Sequence, residues 1–292
     1  MDLASLFGRH EFAIRRIHSL VGLVPVGGFL FFHLATNASI LDGVDTFQYR
    51  VNQIHQLGPT TIFLLEWPFI FLPILFHGIV GLLIVSRGKR NLGNYPYLSN
   101  FRYTLQRWTG VIAFVFIVWH VFHMHGWLKF DWWVRNVAAP LGGKRFNPED
   151  AFTAAAAIQA SPLIALWYGV GVLACVYHLA NGIWTAGITW GIWTSPKAQR
   201  WANIPCLLVG VVLAVIGLGA LLGMYQAEQE TGHGHLVSDH SYSSYNGSPD
   251  SPGNWSTDSA GDWSTDSARL RPLFSEADTS CLQAVGTHSP GL

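Results

Sequence analysis

Five long apolar stretches leave this chain little choice of fold. They cover roughly residues 17–37, 61–86, 105–127, 162–193 and 203–225. Each is long enough for a helix to cross a ~30 Å hydrocarbon layer at about 1.5 Å rise per residue. Inside lipid no water satisfies the peptide groups, so a crossing segment must bond to itself as a helix. Only 12% of residues are charged, about half the usual globular share, and most of those lie between the stretches. The expected fold is all-α: a polytopic membrane protein with five transmembrane helices. The first stretch exceeds the ~7–15 residues of a signal-peptide core and no A-x-A-like site follows it, so it reads as a span. Cys175, Cys206 and Cys281 form no C-x-x-C pair, which argues against a disulfide framework or an iron–sulfur site.

Basic residues set the expected orientation. Ten lie on one side: Arg9, Arg15, Arg16, Arg87, Lys89, Arg90, Arg102, Arg107, Lys197 and Arg200. The alternate loops hold five, Arg50, Lys129, Arg135, Lys144 and Arg145, mixed with Asp42, Asp45, Asp131, Glu149 and Asp150. The positive-inside rule puts the N-terminus and the 87–107 and 197–200 loops in the cytoplasm. Five spans then put the C-terminus outside. Trp127, Trp132, Trp133, Trp190 and Trp193 fall near span ends, as an interfacial aromatic belt does.

Each of the first four stretches carries one deep histidine: His33, His77, His120 and His178. Ionisable side chains at such depth are costly and mark function. Counting from the flanking arginines places His33 and His120 roughly 20–25 Å from the cytoplasmic side and His77 about 15 Å from it. His178, 16 residues past Pro162, is also far from the outer face. The four fall into an outer layer, His33 with His120, and an inner layer, His77 with His178. Two imidazoles at one depth on facing helices suit the two axial positions of one haem, so two haems are expected, both closed to substrate and fit only to pass electrons. Gly171, Ala174 and Gly182 on the His178 face, and Gly81 beside His77, are expected to leave room for the macrocycles.

The other polar residues read differently. A lone intramembrane histidine often just bonds across helices, but four at matched depths do not fit that reading. His123 and His125 read as interfacial, and His10, His18 and His55 lie outside the apolar cores. Arg15, Arg16 and Arg107 stand at the cytoplasmic boundary, where one of them is expected to pair with propionates of the inner haem and the rest to serve topology. Glu66, the one carboxylate inside a stretch, reads as wetted at the outer interface rather than as a proton carrier for a quinone. Residues 226–292 are rich in Ser, Gly, Asp and Thr, with GNWSTDSA at 253–260 nearly repeated as GDWSTDSA at 261–268. That composition cannot offset its ordering entropy, so the chain divides into a 1–225 membrane domain and a disordered, outward 226–292 tail. His233, His235 and His240 in it read as solvated linker, and its two N-x-S sequons are weak signals.

Several motifs carry a family resemblance. Arg15-Arg16-Ile17-His18-Ser19-Leu20, Pro25-Val26-Gly27, and Phe32-His33-Leu34 with Asn37 open the set. Phe71-Leu72-Pro73 with His77, Tyr97-Leu98 with Asn100, and Leu105-Gln106-Arg107 with Thr109-Gly110 follow. Trp119-His120-Val121, His178 with Asn181-Gly182, and Thr189-Trp190-Gly191-Ile192 complete it. In this order, over residues 9–225, they resemble the five-helix dihaem cytochrome b558 subunit of succinate:menaquinone reductases and of dihaem fumarate reductases. The resemblance implies a haem-binding bundle in a bacterial cytoplasmic (inner) membrane. It implies two haem b groups, with His33, His77, His120 and His178 as ligands paired as the depths pair them. It also implies a flavoprotein and an iron–sulfur subunit on the cytoplasmic face, and menaquinone as substrate. Electrons then run from succinate to menaquinone, or in reverse for fumarate reduction, within the tricarboxylic acid cycle's succinate dehydrogenase. The chain would be the subunit without the dehydrogenase chemistry, holding no complete active site of its own. Lipid is an expected partner and nucleic acid is not. Some dihaem fumarate reductases carry a glutamate two residues before the fourth haem histidine; Val176 stands there in this chain, so no proton route is expected at that position.

Two other readings share some of these features. A dihaem anchor of a hydrogenase or formate dehydrogenase would keep the histidines but not the blocks at 15–19 and 105–110. A proton-coupled transporter using histidine relays would show inverted repeats and broken midplane helices, and this sequence shows no repeat across its five stretches.

Overall fold

The computed structural model describes residues 3–88, 93 and 97–228, with side chains from His10 onward. All of these lie in one unit, Met1–His233. The described residues form helices, turns and a single isolated bridge between Asn147 and Asp150. Five helices are long and apolar enough to cross a membrane: His10–Asp42, Pro59–Arg87, Leu98–His125, Pro162–Thr189 and Pro196–Gln226. The expected five-span all-α architecture is therefore present. The expected tail falls outside the described residues, except for the first few after the fifth helix ends at Gln226.

Four of the five helices run longer than their apolar stretches, because polar residues at their ends find partners; the fourth stops at Thr189, short of residue 193. The third begins at Leu98 and the fifth at Pro196. Arg102, inside the third, donates from Nε to Asn181 Oδ1 and from Nη1 to Asn203 Oδ1 at 2.6 Å. Its guanidinium lies 3.8 Å from the Trp184 ring centre, a favourable face for a cation. One arginine thus ties the third, fourth and fifth spans together at one end. The fourth and fifth spans start alike, with Ser161 and Ser195 accepting from Leu163 N and Ala198 N and a proline in the first turn. This is the favoured way to satisfy the orphan donors of a first helical turn.

Prolines shape the first two spans. Pro25 lies within a π-helical turn, Gly22–Val26, and Pro68 within another, Trp67–Phe71. Proline lacks the N–H its turn needs, and a local shift to the wider π pattern rebonds the neighbours.

The fourth span lies between the third and fifth, while the first packs on the fifth through Gly27–Ala38 and on the second through its earlier half. Leu34, Val176, Leu179 and Leu213 form one buried cluster. A larger one, at the end of the bundle that carries the helix Val44–His55, joins Ile40, Phe47, Val51, Met124 and the alanines of Phe152–Gln159. Phe32, Leu163 and Leu207 point outward and stay exposed, as lipid-facing side chains do. Gln48, from the helix Val44–His55, donates to Pro148 O at 2.9 Å and accepts from Ala151 N at 2.6 Å. Gln159 donates to Met224 O and Ala227 O at 2.9 and 2.7 Å, covering carbonyls the fifth span leaves unpaired. The third span ends in Gly126, whose φ of 76° is the left-handed conformation that glycine accepts most easily. The chain then returns, and Lys144, Arg145 and Phe146 donate backbone N–H to Phe122, His123 and Met124 carbonyls at 3.2, 2.9 and 3.1 Å.

The expectation for the small residues near His178 needs one correction. Gly171 and Ala174 do not leave room for a large group. The Phe116 ring fills the space over Gly171, and Ala174 is buried in the larger cluster. Gly171→Leu would force the third and fourth spans apart at a close-packed seam. Overpacking of that kind costs about 1–3 kcal/mol, so the detergent-solubilised protein is expected to unfold at a lower temperature than wild type, as a thermal melt would show.

Candidate functional site

A cavity of about 1260 Å³ runs along the inside of the bundle and is lined by all four deep histidines. It exceeds the about 300–1,000 Å³ of an ordinary small-molecule pocket. Gly81 and Gly182 line it as expected, together with Gly22, Gly78 and Gly110. Gly22 and Gly110 stand against the rings of His77 and His178, where any Cβ would collide with the imidazole. The π turn that begins at Gly22 therefore brings backbone, not side chain, against His77.

The histidines meet in the two expected pairs. The ring centres of His33 and His120 are 5.7 Å apart, crossed at 74°. Those of His77 and His178 are 6.0 Å apart, crossed at 78°. A metal bonded to two imidazole nitrogens at about 2 Å each would separate the ring centres by roughly 6 Å. Neither pair has a third protein ligand beside it, since no group of three or more His, Cys, Asp or Glu suited to a metal ion occurs among the described residues. Two axial nitrogens without further protein donors suit an ion whose remaining bonds come from a planar macrocycle.

The far nitrogens of three of these rings are held. His77 Nδ1 lies 3.0 Å from the His18 carbonyl and His178 Nδ1 lies 3.0 Å from the Gln106 carbonyl. A carbonyl only accepts, so each Nδ1 carries the proton and each Nε2 is left with a free lone pair. Gln106 is itself placed by Asn181, which donates to its Oε1 at 2.7 Å, and its Nε2 donates to His178 O at 3.1 Å. His120 Nδ1 lies 3.2 Å from the Tyr168 hydroxyl, and His123 Nδ1 lies 2.9 Å from the same oxygen. One hydroxyl proton and two acceptor positions fit the direction His120 N–H to Tyr168 O–H to His123 N. Ligand histidines are commonly oriented in this way by a partner on the other ring nitrogen.

Several side chains fall elsewhere than the sequence suggested. His18, read as outside the apolar cores, lines the cavity and stacks on His77 with ring centres 4.0 Å apart at 9°. Its spacing of 15 residues before His33 offers no periodic signal. His123, read as interfacial, is buried between Tyr168 and Trp119, whose ring stacks on it at 4.6 Å. His125 lines the cavity near Phe146. Glu66 also lines it and pairs with Lys129 at 3.4 Å, with only 22% of the Glu66 side chain exposed against 65% for Lys129. The reading of a fully wetted carboxylate is too simple: Glu66 is held by a cation. Lys144 in the same region is kept below its ordinary pKa by burial and then by Lys129. Val176 is buried among Leu34, Leu179 and Leu213.

Arg15, Arg16 and Arg107 all line the cavity at the end opposite Glu66, in different states. Arg15 is ion-paired with Glu11 at 2.7 Å. Arg107 lies 4.0 Å from the Tyr103 ring centre and its guanidinium packs against Gly88. Arg16 donates from Nη2 to Thr189 O at 3.3 Å, and its Nε is buried with no partner.

Comparison with known proteins agrees with these features. The chain is 36% identical over 214 residues to the succinate dehydrogenase cytochrome b558 subunit of Bacillus subtilis (strain 168), covering 73% of this chain and 97% of that protein. No protein-family model matches the chain.

Proposed function

Because the chain belongs to the family of succinate dehydrogenase cytochrome b558 subunits, we propose that it is a dihaem membrane anchor passing electrons between an iron–sulfur subunit and menaquinone. The observation that carries this reading is the pair of crossed imidazole couples, 5.7 and 6.0 Å apart, inside one cavity. His33 and His120 would hold an outer haem b, His77 and His178 an inner one. Bound there, the haems would supply one-electron transfer, and with two imidazoles given to each, the four histidines would leave no place for substrate at the iron.

The protein's own residues supply the rest. The His18 and Gln106 carbonyls fix the tautomers of His77 and His178, so that each ring keeps its Nε2 lone pair free. Tyr168 does the same for His120. The glycines at 22 and 110 let these rings sit tight against backbone. Arg15, Arg16 and Arg107 give one cavity end a positive character suited to the inner haem's propionates. Val176 offers no protonatable group beside His178. The flavoprotein and iron–sulfur partners would dock on the cytoplasmic face, at the arginine-rich end, with the N-terminus on that side and the C-terminus outside. No dehydrogenase active site is assigned to this chain. An intramembrane histidine relay of the transporter kind is not favoured, since His77 and His178 each spend one nitrogen on a backbone carbonyl.

Two measurements test the reading. Purified complex should contain two b haems per chain. His33→Ala or His120→Ala should remove one, and His77→Ala or His178→Ala the other, as seen in haem content and reduced-minus-oxidised spectra. Haem-free but folded wild-type protein would overturn the proposal. Tyr168→Phe should leave both haems bound and raise the midpoint potential of the outer one alone, because His120 N–H loses its acceptor and the imidazole becomes a poorer donor to iron. Equal shifts at both haems would show that Tyr168 does not act through His120.

A further inference from the structure

Asn181 is a polar side chain buried inside the bundle, with 5% of its surface exposed. Burying an amide is costly unless its polar atoms are met. Both ends of this one are. Its Oδ1 accepts from Arg102 Nε, and its Nδ2 donates to Gln106 Oε1 at 2.7 Å. Gln106 Nε2 then donates to His178 O at 3.1 Å. An amide can enter such a chain either way round, because it has a donor at one end and an acceptor at the other. Arginine cannot, because a guanidinium only donates. Arg102 therefore sets the direction of every bond beyond it. Asn181 must turn its oxygen to the guanidinium and its NH2 to Gln106, and Gln106 must turn its own NH2 to His178.

The direction matters at the far end of the chain. His178 Nδ1 donates to Gln106 O at 3.0 Å, so Gln106 holds residue 178 at two points, by its main chain and by its amide. The main-chain bond is contested. Gln106 lies inside the helix Leu98–His125, whose ladder also draws on its carbonyl. The Thr109 hydroxyl, 2.8 Å from Leu105 O, stands 3.3 Å from Gln106 O as well. A carbonyl has two lone pairs, so His178 keeps its share only while the fourth span is held in place at this point. The amide bond to His178 O supplies that hold. With the amide reversed, Gln106 Oε1 would face His178 O, two acceptors with no proton between them. The same contact would then push the spans apart.

We propose that Arg102 is a positioning residue for the inner haem's ligand: acting through Asn181 and Gln106, it fixes the ring plane of His178 and the strength of its Nδ1–H bond. The proposal rests on the dihaem reading and deepens it. The guanidinium is itself held from the fifth span, by Asn203 Oδ1 at 2.6 Å, and from the fourth, by the Trp184 ring at 3.8 Å. The ring plane counts because His77 and His178 are crossed at 78°. The Nδ1–H bond counts because an imidazole that donates strongly from one nitrogen is a better ligand at the other. A cation at one end of three spans thus acts on an iron site that it does not touch.

The test compares whole complexes carrying Arg102→Met, Arg102→Lys, Asn181→Leu or Asn203→Leu, read by the electron paramagnetic resonance signal of each oxidised haem and by redox titration. For a low-spin haem with two imidazoles, that signal depends on the angle between the ring planes. Arg102→Met and Asn181→Leu should both shift the inner haem's signal and leave the outer one in place. Arg102→Lys keeps a group that only donates and should restore most of the wild-type signal. Asn181→Leu changes no charge, so the weaker Nδ1–H bond should raise the inner midpoint potential. Asn203→Leu loosens the fifth span, leaves the relay intact and should move neither haem. Gln106→Met cuts the last link with both arginine bonds kept; it should shift the inner signal alike, and it decides the question where Arg102→Met fails to assemble. An inner signal unmoved in the assembled Arg102→Met, Asn181→Leu and Gln106→Met complexes would overturn the proposal. So would equal shifts at both haems, a shift in Arg102→Lys as large as in Arg102→Met, or one in Asn203→Leu as large as in Asn181→Leu, each of which would reduce Arg102 to a tie between helices. A wild-type complex lacking the inner haem would instead overturn the dihaem reading beneath it.

Discussion

The chemistry available in the cavity depends on which ring nitrogen of each histidine is tied down. An imidazole with both nitrogens free can rotate, exchange tautomers and bond to any neighbour. His77 and His178 have lost that freedom to two backbone carbonyls, His18 O and Gln106 O. These acceptors cannot be changed by substitution at their own positions, because they belong to the main chain. They are placed by what positions the helices: the π turn after His18 in one case, and the Arg102–Asn181–Gln106 hydrogen bonds in the other. The polar network at the arginine-rich end and the orientation of the inner imidazoles are therefore one system.

The outer pair is built on different terms. His120 meets a side-chain hydroxyl, and that hydroxyl meets a second imidazole, His123. Tyr168 and His123 are both buried, so the chain of three groups is sealed from solvent by Trp119 and Phe116, whose rings pack around it. Side-chain partners can be altered one at a time, so the two proposed haem sites are open to tuning by different routes.

Much of this was legible in the sequence, for identifiable reasons. Five spans follow from length and apolarity alone, and the histidine pairing follows from counting rise per residue from the flanking arginines. Helix ends were not legible, because Arg102 looks like a boundary residue until Asn181 and Asn203 are seen to accept from it. His18 was missed because it stands at the very start of its apolar stretch, and only the packing of the first span on the second sets its ring against His77. His123 was missed because burial by Trp119 and Tyr168 is a contact between spans that no local pattern reports. Gly171 and Ala174 were assigned the wrong purpose: small residues on a ligand's face of a helix are as useful to a neighbouring phenylalanine as to a cofactor. The tail's organisation, expected from composition, lies outside the described residues.

Each imidazole couple joins one of the first two spans to one of the next two, His33 to His120 and His77 to His178. During synthesis the first histidine of each couple enters the membrane two spans before its mate. The second span packs on the first and third, and the His77–His178 couple also joins it to the fourth. The order in which the two couples can form, His33 with His120 before His77 with His178, is thus written into the order of the spans along the chain.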